Sequence, residues 1–523
     1  IDYTKSRLPL GQDKAIIKSY MAHHQGMIMV AFGNFLNTCR VIDRVHSDPR
    51  IITTELLLQE QIPQAEMVQT TKDQTVSVGA QDATGITVTP WSPDSDQPGR
   101  AVHTLSNGRL NLLMTDSGSG YLSWKDIALT RWRQDEALDP WGIWFYIQDL
   151  DQGNVWSIGM RPVGGQPQEY QVIYSPHMTE IRKVINKTWM TMQTTIMPNE
   201  DVCLQKITIT NQSKQKRHYR VLSYGEVVLA PQAMDQQHPA FNKLFIESEF
   251  DVELNSLHFT RRLRSSTEEP RAMSHFLFDS LSGKPEFTAD RRQFVGRGRN
   301  LSNPVAIIDQ EELNGGVGTT LDPIFSIGKR FTLNPNRSVT LTYLTIAAET
   351  TDTVKSIAET MLNETRIENA FASSESHNIK LMRTLNLDSG KLSQIQSLLS
   401  HVVYPVPQLR AESDTLAKNE SGQSGLWPFG ISGDYPILLV LVNKKDEVED
   451  LQDILLAHHY WRKMGLMIDL VILNTKDAGY TQELNEKIHQ VINIMERQVW
   501  LNQRGGIFTL TASQMDIIPL RLL

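Results

Sequence analysis

About 250 residues, from His103 to about Thr350, carry the period-two signal of β-strands, and this constrains the fold more than any motif does. Met190 and Met192 alternate with Thr191 and Gln193, Ile207 and Ile209 with Thr208 and Thr210, and Leu341 and Tyr343 with Thr340 and Thr342. Turn clusters separate the runs: SNG from Ser106, MPNED from Met197 and NQSK from Asn211. Alternation puts every second side chain on one face, so each strand needs an apolar layer opposite. Many such strands with polar turns and no intervening helices predict a large sandwich of antiparallel sheets over residues 101–350.

Helical spacing flanks this region. Ile17, Tyr20, Met21, His24, Ile28, Ala31, Phe32 and Phe35 predict a helix from Asp13 to about Asn37, and Ile52, Leu56 and Gln59 predict another over Pro49–Gln64. Two helices make a poor domain, so residues 1–75 read as the last helices of a larger helical one, with 76–100, rich in Pro, Gly and small polar residues, as a linker. After the strands, 351–410 read as linker helices. Residues 411–523 read as a small parallel α/β unit. Its strands are PILLVLV (Pro436–Val442), expected to be buried on both faces, MIDLVILN (Met467–Asn474) and GGIFTLT (Gly505–Thr511). The expected fold is therefore multidomain α+β: a large antiparallel β-sandwich flanked by N-terminal helices, linker helices and a small C-terminal parallel α/β unit.

Charge and cysteines narrow the function. Lys+Arg is 51 and Asp+Glu is 59, a formal net charge of −8, which lacks the basic footprint of a nucleic-acid binder. Cys39 and Cys203 are the only cysteines and show no metal or redox spacing, which suits a reducing compartment. No apolar run reaches the roughly 18 residues of a membrane span, and no signal peptide opens the chain. The Ile1 start and the PLRLL end are expected to be those of a segment of a larger polypeptide.

Chemistry-bearing motifs are sparse. In SYMAHHQGM, His23 and His24 point about 100° apart on a helix and cannot both face one metal, leaving core packing or a pocket lining. His458, in AHHYWRKMG, continues an amphipathic face. The densest aromatic run is Ser117–Trp156, with Tyr121, Trp124, Trp132, Trp141, Trp144, Tyr146 and Trp156 beside Arg131 and Arg133. It fits sugar contact and an aromatic core equally, and its SGSG fits a loop leaving the sheet to reach a site. EVVLAPQAMDQQHPAFNKLF reads as a strand entering an exposed loop with Asp235, His238 and Lys243; His238 is either a general base or a surface residue. Trp427 and Asp434 lie ahead of a strand, in a binding stretch or a structured loop. No phosphate loop, dinucleotide fingerprint, zinc motif or nucleophile elbow is present. The substrate-binding candidates are thus Tyr121, Trp124, Arg131, Trp132, Arg133, His238, Trp427 and Asp434, with no catalytic, cofactor or metal residue assigned.

Together these blocks resemble the cyclic β-1,2-glucan synthases. SYMAHHQGM and SDPRIITTELLLQEQIP (Ser47–Pro63) resemble the end of that family's glucoamylase-like helical barrel. SNGRLNLLMTDSGSGYLSWKDIALTRWRQD resembles the opening of its glycoside hydrolase family 94 phosphorylase-like region, and EVVLAPQAMDQQHPAFNKLF and LWPFGISGDYPILLV match further blocks. The resemblance covers nearly the whole chain and is weak between about Ser265 and Asn336. It implies a supersandwich that handles β-1,2-glucan chains and controls their length, as part of a glycosyltransferase polypeptide. The family's catalytic aspartate sits in a Gly-Asp-Trp-Asn-Asp motif of a later barrel; DWND is absent here, so this segment alone is expected to be inactive. The resemblance implies no cofactor or metal, with inorganic phosphate as co-substrate of the parent module. Implied partners are β-1,2-glucan or its oligosaccharides and the rest of the parent polypeptide, with a homodimer left open and neither nucleic acid nor membrane contact. The implied location is a soluble, cytoplasmic-side segment of an inner-membrane protein. The alternative is a stand-alone carbohydrate-binding or β-glucan phosphorylase or hydrolase module.

Overall fold

The computed structural model describes residues 22–47, 88–94, 99–265, 268–310, 312–313, 315–444, 446–476, 481–495, 497–516, 520 and 522. It divides into two units, Ile1–Thr84 and Gly85–Leu523.

In the first unit a helix spans Ala22–Leu36 and a shorter one Arg40–His46. Thr38 and Cys39, both at positive φ, turn the chain between them. No residue of the first helix is buried, and Met27, Phe32 and Phe35 are 67%, 62% and 81% exposed. His23 and His24 meet edge to face at 4.2 Å and are exposed, so the expected packing of this pair in a core is not what the structure holds. The expected Pro49–Gln64 helix, with Ile17, Tyr20 and Met21, lies outside the described residues.

The second unit is built on two antiparallel sheets. The nine-stranded sheet runs Val102–Ser106, Leu110–Thr115, Gly120–Trp124, Ile127–Thr130, Arg217–Ala230, Pro323–Leu333, Glu286–Asp290; Trp144–Asp149 also pairs with Arg217–Ala230 and carries Asn154–Ser157. The eight-stranded sheet runs Ile246–Asp251, Ser256–Arg261, Ala272–Asp279, Ser338–Ala348, Val202–Asn211, Thr188–Ile196, Met178–Ile185, Glu169–Ser175. The alternation read from the sequence fixes the register: Ile207 lies opposite Met192 on one side and Leu341 on the other. These side chains join Leu112, Leu129, Ile147 and Phe325 of the facing sheet in one core. Burial of each contributes roughly 1.5–3 kcal/mol.

Four short helices interrupt the strand region, contrary to the expectation of none: Gln232–Gln237, Pro239–Lys243, Arg291–Val295 and Val305–Ile308. Each has at most six residues, too few for a 3.6-residue period to register; Pro239 opens one of them, and Pro231 and Pro304 stand just ahead of two others.

Three longer helices follow, each capped by a side chain on free backbone N–H groups: Thr351–Met361 by Thr350, Glu364–Leu385 by Asn363 and Ser389–Val403 by Asp388. Val354, Ala358 and Met361 cover Phe276, Leu344 and Ile346 on the outer face of the eight-stranded sheet. Leu392, Ile395 and Leu399 pack with Val102 and Leu113 of the sandwich and with Tyr460 and Trp461 of the helix Glu447–Lys463. Three parallel strands, Ile437–Val442, Asp469–Asn474 and Ile507–Thr511, complete the C-terminal part. The middle strand is fully buried. Ile437–Val442 is only half-buried, with Leu441 60% exposed, and so differs from the expected strand buried on both faces. Its position at the sheet edge, not its composition, decides this. His458 is buried and its Nε2–H donates to the Ile468 carbonyl at 3.0 Å, a packing role. No described helix is long and apolar enough to cross a membrane, and the described residues hold no group of three His, Cys, Asp or Glu able to bind a metal.

The SGSG stretch is not a loop reaching away from the sheet. Ser117, Gly118, Ser119 and Gly120 are buried, and a Cβ on Gly118 would sit 2.7 Å from Gly159 Cα. The buried Asp139 carboxylate ties this turn down, accepting from Thr115 Oγ1 at 2.7 Å, Ser117 Oγ at 2.5 Å and Tyr404 Oη at 3.3 Å. Next to it, burial pushes the Asp116 carboxyl up to about 6, opposed by Arg100 at 3.8 Å and reinforced by the charge of Asp139. A raised carboxyl pKa means that the folded state holds the proton more tightly than the unfolded state, so stability falls as pH rises from about 4 to 6. Asp116→Asn should therefore gain about 1–2 kcal/mol at pH 7 and almost nothing at pH 4. Urea denaturation at both pH values checks this; an equal gain at both would refute it.

Candidate functional site

The site starts from a discontinuity in the nine-stranded sheet. Along one side of Arg217–Ala230, Tyr219 to Tyr224 pair with the strand Trp144–Asp149, whereas Val227 and Ala230 pair with Ile127–Thr130. The segment 131–143 leaves the sheet between these two partners. Glu226 lies at the handover. Gly225 is required beside it, because a Cβ there would stand 2.2 Å from the Phe325 ring.

Arg131 closes the gap. Its backbone N–H donates to the Glu226 carbonyl at 3.0 Å. Its guanidinium grips Asp235 with two bonds, Nε to Oδ2 at 2.8 Å and Nη2 to Oδ1 at 2.7 Å, and Nη1 donates to Glu226 Oε2 at 2.6 Å. Glu226 Oε1 accepts from Arg291 Nε at 2.9 Å and from Tyr224 Oη at 3.0 Å. Asp235 Oδ1 also accepts from Asn242 Nδ2 at 3.4 Å, and Asn242 Oδ1 accepts from Arg261 Nη1 at 2.8 Å. Arg131, Glu226 and Asp235 are all buried, which makes the pairs strong and their loss costly. Both Glu226 oxygens are engaged as acceptors, an arrangement that suits a strut and not a proton donor.

Over this network lies a cleft of about 300 Å³, where Trp141, Arg161, Glu226, Arg291, Asn300 and Ser302 share the lining with two prolines and two leucines. Its volume is at the lower end of small-molecule sites, which run roughly 300–1,000 Å³. Trp141 is half-buried. Ser119 Oγ donates to its carbonyl, and Gly142 follows at φ 138, where a Cβ would lie 2.5 Å from Gly120 N. SGSG thus positions the aromatic side chain by close backbone contact. The Arg133 guanidinium lies 5.7 Å from the Trp141 ring centroid. Arg161 Nη2 donates to the Ala137 carbonyl at 3.3 Å, and its guanidinium has no carboxylate partner among the described residues.

The structure divides the sequence candidates. Arg131 forms the network beneath the cleft, and Arg133 reaches the cleft through Trp141. Tyr121 and Trp132 pair at 5.8 Å, with Tyr404 edge-on to Trp132 at 6.2 Å, in the layer facing the linker helices. Trp124 is buried in the sandwich core and its Nε1–H donates to Asp201 Oδ2 at 2.7 Å. His238 is exposed, on the loop that Arg131 anchors through Asp235. Trp427 and Asp434 belong to the α/β part, where Asp434 pairs with Arg504 at 2.5 Å. Sequence reasoning missed Glu226, Arg161, Arg291 and Asn300 as a group. Only Glu226 carried a signal, as a lone carboxylate inside the apolar run YGEVVLA.

Residues 87–364 match the glycosyl hydrolase 94 supersandwich domain. The chain belongs to that family. This supersandwich chain is 27% identical over 525 residues to the cyclic beta-(1,2)-glucan synthase NdvB of Rhizobium meliloti, covering 99% of the chain and 18% of the relative. It is 23% identical to the solabiose phosphorylase of Paenibacillus borealis, over 44% of the chain and 29% of that protein. It is 25% identical to the N,N'-diacetylchitobiose phosphorylase of Vibrio proteolyticus, over 41% of the chain and 26% of that protein. The chain thus spans less than a third of each of these relatives. Among solved structures, a bacterial glucoamylase complexed with acarbose aligns with a TM-score of 0.38 at 9% identity, over 61% of this chain and 44% of that one, a likeness too loose to carry an argument. The resemblance to cyclic β-1,2-glucan synthases read from the motif blocks therefore stands, together with the α+β supersandwich fold.

Proposed function

We propose that this chain is the glucan-handling part of a cyclic β-1,2-glucan synthase, a supersandwich that holds β-1,2-glucan while a catalytic acid carried elsewhere in the polypeptide acts with inorganic phosphate to set chain length. On this reading the segment sits on the cytoplasmic side of an inner-membrane protein and is inactive by itself. The observation that carries it is the cleft: Trp141 beside Arg161, Arg291, Asn300 and Ser302, over the point where the strand Arg217–Ala230 changes partners. Aromatic faces with a few placed polar groups are what sugar recognition needs. The similarity along 99% of the chain to a named glucan synthase supports the choice of glucan.

Calorimetric titration of the purified chain with β-1,2-glucooligosaccharides tests this. Saturable binding is expected, weakened roughly tenfold or more by Trp141→Ala. Release of glucose 1-phosphate from β-1,2-glucan and phosphate by this chain alone would overturn the inactive-segment reading. No binding by the folded protein would overturn the holding role.

A further inference from the structure

A second hollow shares no lining residue with the Trp141 cleft. Its volume of about 500 Å³ lies within the range of small-molecule sites. Its walls come from the segment 88–94, from Tyr174 and Val102 of two sandwich strands, and from the helix Ser389–Val403. Backbone bonds fix these walls to one another. Trp91 N–H donates to the Tyr174 carbonyl at 2.9 Å, and Tyr174 N–H donates to the Trp91 carbonyl at 2.7 Å. Thr89 N–H donates to Ser389 Oγ and Val102 N–H to Ser400 Oγ, both at 2.9 Å. Trp91 is half-buried, and its indole meets the rings of His103 and Tyr174 edge-on at 5.6 and 6.2 Å. The aromatic surface is therefore in place before any ligand arrives. The rest of the lining is mostly neutral and polar. Four serines and two glutamines belong to it, and no lysine or arginine does. Gln396 and Ser400 are already engaged, by Thr104 and by the Val102 N–H. Ser393 and Gln394 lie on the accessible face of the helix, and neither side chain has a hydrogen-bond partner among the described residues. Hydroxyl and amide groups both donate and accept, which suits a neutral ligand rich in hydroxyls. A tryptophan supplies the apolar surface that one face of a sugar ring covers. An anion would find no lysine or arginine to meet it here.

We infer that this hollow is a second, weaker sugar site, which takes a stretch of neutral β-glucan with a ring face against Trp91 and hydroxyls toward Ser393 and Gln394. This rests on the glucan-handling reading proposed above and adds a separate point of hold to it. Bound glucan would brace the helix Ser389–Val403 against the segment that carries Trp91. A polymer long enough to reach both sites would gain by effective concentration what neither contact provides alone.

The test titrates the whole chain with β-1,2-glucooligosaccharides in a Trp141→Ala background, with circular dichroism confirming the fold of each variant. One weaker site per chain should remain. Adding Trp91→Ala should weaken it roughly tenfold or more. Adding Gln394→Ala should weaken it about threefold, and this variant changes only an exposed helix position to the best helix former. In the same background, ligand should slow amide hydrogen exchange in residues 88–94 and in the helix Ser389–Val403. Loss of all saturable binding in folded Trp141→Ala would overturn the inference and leave the Trp141 cleft standing. Residual binding untouched by both Trp91→Ala and Gln394→Ala would overturn it as well. Binding that survives Trp141→Ala at full strength and is lost with Trp91→Ala would keep this site and remove the Trp141 cleft. No binding by the folded wild-type chain would overturn both.

Discussion

Arg131→Ala should destabilise the sandwich by about 3–5 kcal/mol. The guanidinium is buried and makes three charged bonds at 2.6–2.8 Å, so its removal strands the buried carboxylates of Glu226 and Asp235 with part of their shell missing. The loss should appear as an earlier midpoint in urea with an unchanged slope. The triple variant Arg131→Met, Glu226→Gln, Asp235→Asn should recover part of it, because the whole set of charges is then replaced instead of one member. A loss below about 1 kcal/mol for Arg131→Ala would show that the network is not held in this form. The loop carrying His238 should loosen in the same variant, since Asp235 is its anchor.

Arg220→Ala is expected to cost a similar amount, about 3–5 kcal/mol, and to damage the cleft from behind. Arg220 is fully buried and donates to both Glu286 oxygens at 2.7 and 2.6 Å and to the Ala306 carbonyl at 2.5 Å. Glu286 Oε2 in turn accepts from the Leu313 N–H at 3.2 Å, and Tyr146 Oη and Gln148 Nε2 donate to the Leu301 and Ile307 carbonyls, each at 2.8 Å. These bonds hold the segment that brings Asn300, Leu301 and Ser302 to the cleft. Oligosaccharide affinity should therefore fall together with stability. A pH signature accompanies the loss. Burial alone would raise the Glu286 carboxyl, but the hydrogen bonds and charge of Arg220 hold it below the usual carboxylate range. A depressed pKa contributes stability that is present above the unfolded value, near 4.3, and is lost as pH falls through the folded value. The wild-type chain should lose this contribution on acidification below about pH 4, and Arg220→Ala should not. Parallel acid titrations that coincide would contradict the assignment.

The sandwich was legible because its signal is local. Period two at Met190–Gln193 or Ile207–Thr210 needs only neighbouring residues to be read, and the pairing of Ile207 with Met192 and Leu341 follows from it. The edge exposure of Ile437–Val442 was not legible, since composition reports how apolar a strand is and not how many neighbours it finds. The cleft was legible only in part. Trp141, Arg131 and Arg133 lie in one conspicuous run, but Arg161, Glu226, Arg291 and Asn300 come from three further regions, brought together by strand order. Trp124 shows the converse: an aromatic residue in the same run whose alternation turns it inward to Asp201. A side chain's direction within a strand depends on register, and register across a sheet of this size is a long-range property.

The strand Arg217–Ala230 changes neighbours halfway along, so the segment 131–143, which carries Trp141 to the cleft, rises from the middle of the sheet and not from its rim. Frame and specificity are thereby separable under evolution. Substitutions at Trp141, Arg161, Asn300 or Ser302 leave the paired backbone of the central strand untouched, so a lineage can change the lining of the cleft without refounding the fold.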